Sequence, residues 1–240
     1  MSYSTAIVVG ASSGIGENLV CQLAESGCKV AAVARRKELL DALVAEFPGK
    51  VLAYPHDVTN FDEVPKLFAK ITQELGGLDL IIYAAGVMPA VAETEFNFEK
   101  DREMVDVNVL GAIAWLNQAA TRFENTQSGT IVGIGSVAGD RGRQGQPVYN
   151  TTKAALATYM EALRNRLAKK GVKVVTIKPG PTETPMTANL KGKMMKADTA
   201  AKLILEKSNK TGEHYLKPVH WLIFLIIRNI PSPVFRKLKV

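Results

Sequence analysis

Two patterns of apolar and polar residues take turns along the chain. Short apolar runs, rich in β-branched residues, end in glycine, proline or small polar residues, which is typical of buried strands. These predicted strands are residues 5–10, 29–34, 51–54, 78–83, 130–135, 172–178 and 213–216. Stretches with helical spacing separate them: the predicted helices are residues 37–47, 98–124, 149–170 and 199–207, with others after residue 16 and near residue 60. The alternation predicts an α/β fold, a doubly wound, mostly parallel sheet of about seven strands with helices on both faces.

Length and composition agree with one such fold. The 240 residues are 47% hydrophobic, which is enough to bury one sizeable core without a second domain. No internal repeat or low-complexity linker divides the chain. We therefore predict a single domain over residues 1–217, followed by an apolar and basic tail over residues 218–240.

Composition also limits the class of protein. Met1 is followed almost directly by the first apolar run, without a basic leader, so no secretion signal is indicated. Cys21 and Cys28 lack metal-ligand spacing, and we expect reduced thiols and no bound metal, rather than a disulfide or a zinc site. The formal net charge of +7 suits nucleic acid or an anionic membrane, and the location of the charge decides between them.

A glycine-rich loop, Gly10-Ala11-Ser12-Ser13-Gly14-Ile15-Gly16, joins the first strand to the first helix. Glycines there allow positive φ and close backbone approach to a pyrophosphate, while the free N–H groups of the helix face the anion. The spacing is a variant of the dinucleotide-binding pattern. A plain glycine turn is the alternative.

The second strand ends in Ala34-Arg35-Arg36, where a dinucleotide fold faces the adenosine ribose. An acidic residue there would accept from the 2′-hydroxyl, and Ala34 cannot. Two guanidinium groups suit a 2′-phosphate instead, which favours NADP over NAD. The alternative is that these arginines only open the solvated helix 37–47.

Small or polar residues follow the other strands. Asp57 is placed either to accept from an adenine amino group or to cap the next helix. Ala84-Ala85-Gly86 lets a flat ring lie against the backbone, and residues 179–184 form a rigid turn. Asn108, an amide in an apolar helix, needs partners if it is buried, as a helix-internal hydrogen bonder or as a catalytic group.

Ser136, Tyr149 and Lys153 bring a hydroxyl, a phenol and an amine within eighteen positions. Ser136 follows the fifth strand, at the edge of the sheet where ligands collect. Tyr149 and Lys153 are four residues apart, so they share one face of a helix, and a nearby ammonium moves a phenol pKa toward the working range. An ordinary amphipathic helix is the other interpretation.

In this order, the motifs resemble the short-chain dehydrogenase/reductase family over about residues 5–186. The resemblance implies a Rossmann-like catalytic domain and reversible hydride transfer between nicotinamide and a carbonyl or alcohol carbon. The cofactor-binding residues implied are Gly10, Ser12, Ser13, Gly14, Ile15, Gly16, Arg35, Arg36, Asp57, Val58, Ala85, Gly86, Asn108, Tyr149, Lys153, Pro179, Gly180, Thr182 and Thr184.

Four residues match the family's catalytic set: Asn108, Ser136, Tyr149 and Lys153. By resemblance, Tyr149 passes a proton to or from the substrate oxygen, and Ser136 hydrogen-bonds that oxygen. Lys153 lowers the phenol pKa and holds the nicotinamide ribose, while Asn108 anchors a water relay behind the lysine.

The chain departs from the family pattern at several positions. Tyr83-Ala84-Ala85-Gly86 stands where the family usually has Asn-Asn-Ala-Gly, and Val9 replaces a threonine. Ser13 occupies a position that is basic in many NADP-preferring members, so the cofactor prediction depends on Ala34 and Arg35. Thr182 replaces an aliphatic residue, and only its backbone is expected to matter.

Beyond residue 186 the resemblance gives less help. Residues 186–198 are predicted to be a substrate lid whose methionines favour an apolar substrate. In the tail, seven successive apolar residues from Trp221 to Ile227 are too few to span a bilayer, which takes about 20 residues. With five Lys or Arg and no acid after Glu213, the tail suits the surface of an anionic membrane. It could instead pack on a second subunit or close the pocket; nucleic acid ranks last because no aromatic-interleaved basic platform occurs.

The sequence thus predicts an enzyme, an NADP-dependent oxidoreductase for a small apolar carbonyl or alcohol, with NAD as the alternative cofactor. The rival is a catalytically silent NADP-binding sensor. We expect a homo-oligomer without nucleic acid, in the cytoplasm, at the inner face of a membrane if the tail binds lipid.

Overall fold

The computed structural model describes residues 3–238, so Lys239 of the tail lies outside the described residues. Seven parallel strands form one sheet in the order β3-β2-β1-β4-β5-β6-β7. The strands are β1 Thr5–Val9, β2 Lys29–Ala34, β3 Val51–Pro55, β4 Leu80–Tyr83, β5 Gly129–Ile134, β6 Val172–Lys178 and β7 Gly212–Tyr215. The predicted doubly wound α/β fold is confirmed, with strand ends shifted by one or two residues.

Nine α-helices occur among the described residues. They are α1 Gly14–Glu25, α2 Lys37–Glu46, α3 Val64–Leu75, α4 Phe98–Val105, α5 Gly111–Thr126, α6 Pro147–Leu167, α7 Ala197–Lys207, α8 Pro218–Asn229 and α9 Ser232–Phe235. The single helix predicted over 98–124 is interrupted by a π-helical turn, Asp106–Leu110. The helix predicted near residue 60 begins as a 3-10 turn, Phe61–Glu63, because Pro65 suits the first turn of an α-helix better than its interior.

The sheet separates two apolar cores because successive side chains of a strand point to opposite faces. Ile7 and Val9 of β1 face α3, α5 and α6, where Trp115 is fully buried. Ala6 and Val8 face α1, α2 and α7 on the other side. Both faces are covered, as a parallel sheet requires. The carboxyl ends of the strands are left as the edge where a ligand can enter.

The strand order reverses between β1 and β4, and open α/β sheets bind ligands at such a point. The predicted tail forms α8 and α9. Helix α8 packs beside β7 and the 3-10 turn Val137–Asp140, and the ring of Phe235 in α9 contacts the Arg141 guanidinium. Among residues 3–238, no helix is both long enough and apolar enough to cross a membrane.

Candidate active site

A cavity of about 800 Å³ lies at the carboxyl ends of the strands. Its walls include every residue predicted to bind cofactor or to act in catalysis, apart from Asn108. The glycine loop and the two arginines after β2 line one end. Met186, Leu190, His220 and Phe224 line the other end, and Ser136 and Tyr149 also line the cavity.

Two glycines of the glycine-rich loop lie too close to neighbouring backbone atoms to carry a side chain. Gly10 has φ +91°, and a Cβ on it would lie 2.4 Å from the backbone nitrogen of Ala85. A Cβ on Gly16 would lie 2.0 Å from the Gly10 carbonyl oxygen. Ser13, the residue before α1, makes no side-chain cap, so no side chain of this residue covers the N–H groups that begin the helix. Anions bind well at a helix start of this kind.

Both arginines after β2 line the end of the cavity where the glycine loop lies. Arg36 donates from Nη2 to the hydroxyls of Ser12, at 2.8 Å, and Ser13, at 2.7 Å. Arg35 is mostly exposed and pairs with Asp57 at 3.8 Å. Arg36 does immediately precede α2, as the solvated-helix interpretation requires, yet its side chain turns back to the glycine loop. A cation and two hydroxyls are therefore gathered at one point.

Asp57 caps a turn. Its Oδ1 accepts from the Thr59 backbone nitrogen at 3.0 Å and from the Thr59 hydroxyl at 2.8 Å. Burial would raise the pKa of Asp57, but the Thr59 donors and the Arg35 charge outweigh it and lower the pKa. These bonds close a turn and do not cap the next helix, whose N-cap residues are Asn60 for the 3-10 turn and Glu63 for α3. The adenine contact stays a prediction, and Asp57 and Val58 line the cavity.

Asn108 is fully buried in the π-helical turn and does not line the cavity. Its side chain accepts from the Val87 nitrogen at 2.8 Å and donates to the Val87 oxygen at 3.0 Å and to Thr152 Oγ1 at 3.1 Å. It therefore fastens the loop after β4 to α6, which carries Tyr149 and Lys153. The predicted water relay stays a prediction.

Tyr83, which stands in place of the family's first asparagine, supports the same turn. Its hydroxyl donates to the Val107 carbonyl at 2.6 Å, and its ring is fully buried. A Cβ on Gly111 would lie 2.5 Å from that hydroxyl, so Gly111 makes room for it. A π-helical turn shifts the regular helical bonds, and a side chain that binds one of its carbonyls stabilises it. Tyr83, in place of the asparagine, thus stabilises the backbone next to Asn108 through its bond to Val107.

Three of the four predicted catalytic side chains meet in the cavity. The Lys153 ammonium lies 5.7 Å from the centre of the Tyr149 ring and donates to the Ile134 carbonyl at 3.1 Å. Ser136 lies beside the phenol, and its hydroxyl accepts from the Ala138 nitrogen at 3.0 Å. The i and i+4 spacing on α6 thus places the phenol and the amine on one face, as predicted.

Burial dominates the electrostatics of this group. It raises the pKa of Tyr149, while the contact with Ser136 and the charge of Arg143 oppose the rise. Burial lowers the pKa of Lys153 to about 8. Arg143 is thus a second cation that acts on the phenol, and the predicted role of Lys153 in lowering the phenol pKa stays a prediction.

The comparisons with known proteins agree with this geometry. A model of the short chain dehydrogenase family matches residues 4–194. The chain belongs to this family. A Staphylococcus aureus (strain MW2) protein described as an uncharacterized oxidoreductase is 37% identical over 184 residues, which are 76% of this chain and 80% of that relative. A Myxococcus xanthus oxidoreductase, likewise described as uncharacterized, is 39% identical over 191 residues, 78% of this chain and 76% of the relative.

Solved structures of the family share the fold. A short-chain dehydrogenase from Streptomyces avermitilis is 27% identical, with a TM-score of 0.84 over 94% of this chain and 92% of that one. One from Burkholderia cenocepacia, crystallised with NADP, has a TM-score of 0.87 over 100% of this chain and 98% of that one, at 23% identity. The family model ends at residue 194, so α8 lies beyond it.

The sequence analysis did not predict all the cavity-lining residues, and those with polar or aromatic side chains include His56, Arg143, His220 and Phe224. His56 is buried, with its ring 5.6 Å from that of Trp115. It follows β3 directly, and its side chain turns into the core beside α5. No spacing marked Arg143, which lies in the loop before α6. His220 and Phe224 did carry a signal, since i and i+4 aromatic residues share one face of a helix.

The inner face of α8 forms a wall of the cavity. His220 lies against the Pro179-Gly180 turn, where a Cβ on Gly180 would be 2.2 Å from the imidazole Cε1. Phe224 stacks on Tyr215, with ring centres 6.3 Å apart. Among the described residues, the tail therefore closes the pocket, which is one of the three arrangements that the sequence left open.

Ionic contacts fasten α8 in this position. Arg228 lies 3.1 Å from Asp140 and 3.2 Å from Glu213. Lys178, at the end of β6, is buried and pairs with the same two acids at 2.5 and 2.8 Å. Arg141 donates to the Ile227 carbonyl at 2.7 Å and to two further carbonyls at the end of α8. The helix is therefore tied to the loops that carry Ser136 and Pro179.

Proposed function

We propose that this short-chain dehydrogenase is an NADP-dependent oxidoreductase acting on a carbonyl or alcohol carbon of a small apolar substrate. The observation that carries the proposal is the meeting of Ser136, Tyr149 and Lys153 in one cavity with the glycine loop and its paired arginines. The nicotinamide, when bound, supplies or accepts the hydride. The protein supplies a place for the substrate oxygen and a route for its proton.

The residues present fit a phosphorylated dinucleotide. The glycine loop brings its backbone and the start of α1 to one wall, which suits a pyrophosphate. Arg36, Ser12 and Ser13 would hold a 2′-phosphate, with Arg35 beside them. At the other end, the 179–184 turn would hold the nicotinamide, with Ala85 and Gly86 facing it; Ile15 and Val58 complete the lining. NADP is the proposed cofactor and NAD the alternative.

The chemistry of the site follows from its polar groups. Tyr149 would donate a proton to a carbonyl oxygen during reduction, and accept it from the alcohol in the reverse direction. Ser136 would hydrogen-bond the same oxygen, and Lys153 would hold the nicotinamide ribose. The positive charge of Arg143 favours the phenolate of Tyr149. Asn108 acts through the position of α6 and Val87, so we propose it as a positioning residue.

An apolar substrate is supported by the wall beyond Tyr149. Met186, Leu190 and Phe224 line that end, together with Val87 and Met88. Desolvation of an apolar chain there contributes about 25 cal/mol per Å² buried. Methionine and leucine side chains also adapt to substrates of differing shape. We therefore expect long-chain aldehydes or ketones to bind better than short ones.

The test is oxidation of NADPH in the presence of a panel of aldehydes and ketones of increasing chain length. We expect turnover that rises with chain length, and weaker activity with NADH. Binding of NADPH without turnover across the panel would contradict the enzyme proposal and support the sensor. The absence of NADPH binding would contradict both.

We also propose self-association as a homo-oligomer, and contact of the tail with an anionic membrane in the cytoplasm. The first is supported by Phe96 and Phe98, which are 94% and 71% exposed at the start of α4. Two exposed phenylalanines beside each other favour a protein partner. The sedimentation coefficient of the purified protein, compared with that of Phe98→Glu, tests self-association.

A further inference from the structure

The solvent face of α8 is as apolar as its inner face. Phe224 is buried against Tyr215 and Val137, and His220 lies on the same side of the helix. The residues that point outward are Val219, Trp221, Leu222, Ile223, Leu225 and Ile226, each 42–58% exposed. An ordinary surface helix carries polar residues there. A helix that is apolar all round needs a cover on its outer face.

Unpaired basic residues lie next to the apolar helix along the chain. Lys217 directly precedes α8, and Arg236 and Lys237 follow α9; none of the three pairs with an acid among residues 3–238. Leu190 lines the same cavity as Phe224, and its neighbours Lys191 and Lys193 are exposed. The chain has no acidic residue after Glu213, which already pairs with Lys178 and Arg228. The segments next to the apolar face in the chain, here called its cationic rim, therefore carry positive charge without nearby acids in sequence.

An apolar face of this kind can be covered by a second copy of the chain or by a membrane, and a cationic rim favours one of these two. In a symmetric dimer the same patch meets itself, so Lys217 and the Arg236-Lys237 pair of both copies would come together without acids to neutralise them. An anionic lipid surface attracts those charges, by about 1 kcal/mol for each Lys or Arg near it. Trp221 at the outer face is a residue type enriched at lipid headgroups.

We propose that α8 lies flat in the headgroup layer of an anionic membrane, with its outer face toward the acyl chains. Its 12 residues measure about 18 Å, shorter than the ~30 Å bilayer core, which excludes a spanning arrangement. The inner face of the same helix lines the cavity through His220 and Phe224. One helix thus separates the membrane from the active site, and an apolar substrate dissolved in the bilayer enters past Phe224 and Leu190. The last step depends on the function proposed above.

Point variants on the outer face of α8 test the proposed membrane contact better than deletion of the tail does. Deletion would also expose Tyr215 and break the Arg228 contacts. The full-length protein is sedimented with phosphatidylcholine vesicles, with and without phosphatidylserine. The wild type should bind only the anionic vesicles, and L222E/I226E should lose at least about 90% of that binding. L39E, which places one acidic residue on exposed α2, should bind as the wild type does. R236Q/K237Q should bind about 30-fold more weakly, and the loss should be greater in low salt.

Three readouts keep the outcomes apart. Unfolding temperature and NADPH affinity should match the wild type in every variant, which shows that the fold is intact. L222E/I226E should reduce turnover of a long-chain aldehyde held in vesicles, while turnover of a short, water-soluble aldehyde is unchanged. If no aldehyde turns over but vesicle binding follows the pattern above, the result contradicts the proposed enzyme activity and supports the proposed membrane contact of α8.

The proposal is overturned by either of two results. In the first, wild type and L222E/I226E bind anionic vesicles equally, or neither binds. In the second, the wild type is a dimer that L222E/I226E converts to a monomer, without binding to vesicles; the outer face would then cover a second copy of the chain.

Discussion

The two ends of the cavity are built by different means. At the end proposed to hold the adenosine, here called the adenosine end, the loops after β1 and β2 line the cavity. Each of these loops lies within a few residues of its strand. At the substrate end, the wall comes from three separate segments: Arg143, the Met186–Leu190 loop and α8. The residues that line the first end are close to one another in sequence. The second end forms only when the tail packs against the rest of the fold.

This difference predicts how substitutions act. Gly10 and Gly16 touch backbone atoms, so almost any side chain there would displace the loop. The substrate end is held by side chains, above all by the Arg228, Asp140 and Lys178 contacts. Changes there should alter the choice of substrate while leaving cofactor affinity intact, whereas changes at the adenosine end should do the opposite.

The largest effect is expected at Tyr149, which also lines the cavity. Tyr149→Phe removes the proton donor and keeps the ring, so turnover should fall ~10²-fold or more. NADPH affinity should stay close to that of the wild type, measured by fluorescence titration. Tyr159→Phe, on the same helix with its hydroxyl bonded to Asn117, is the control and should remain active. Near-normal turnover by Tyr149→Phe would contradict the mechanism.

The next effect concerns the stability of the folded protein and depends on Lys153. Burial lowers the pKa of this lysine to about 8. The unfolded chain keeps this proton to about pH 10.4, so between these pH values the unfolded state binds more protons and the contribution of Lys153 to stability rises with pH. Relative to Lys153→Met, the cofactor-free wild type should gain about 3 kcal/mol of unfolding free energy from pH 7 to 10.5. Chemical denaturation at several pH values measures this.

A lysine at the surface provides the control for that measurement. Lys66→Met, at an exposed position of α3, should show no such pH dependence relative to the wild type. The difference between wild type and variant must be used because Tyr54 and Tyr215, whose pKa values are raised in the folded protein, lose their protons near pH 10 when the chain unfolds, which also changes stability in this range. A flat difference for Lys153→Met would show that the lysine is charged in the folded protein.

At the adenosine end, Arg36→Ala and Arg35→Ala should weaken NADPH binding by about tenfold to 100-fold each, the usual range for hydrogen bonds to charged groups. NADH binding should change little, because it lacks the 2′-phosphate. Calorimetric titration with both cofactors gives the ratio. Arg166→Ala, at an exposed position of α6, is the control. Equal losses for NADPH and NADH would refute the phosphate role.

The smallest effect is expected at the substrate end. Phe224→Ala should raise KM for a long-chain aldehyde about tenfold through lost apolar contact, without changing NADPH affinity. Trp221→Ala, three residues earlier but on the outer face of α8, should leave KM for a soluble substrate unchanged. A loss of NADPH affinity in Phe224→Ala would show that the two ends are not independent.

Sequence alone determined the sheet and the meeting of the glycine loop with Ser136, Tyr149 and Lys153. Strand patterns are periodic, and parallel strands bring their carboxyl ends to one edge, so the pattern predicts that Gly10, Arg35, Ser136 and Tyr149 lie at the same edge. The i and i+4 relation of Tyr149 and Lys153 likewise follows from helix geometry.

Tertiary structure decided the rest. Asn108 binds Val87 and Thr152 because α4 and α5 meet in a π-helical turn, and no periodicity predicts that turn. His56 is buried because Trp115, 59 positions away, lies beside it. The composition of α8 was visible from the start, but an apolar helix can face a core, a partner or a membrane. The tertiary contacts of Arg228 with Asp140 and Glu213, together with the Arg141 hydrogen bonds and the packing of Phe224 on Tyr215, fix which side of it faces the cavity. Contacts between such distant segments depend on the whole fold.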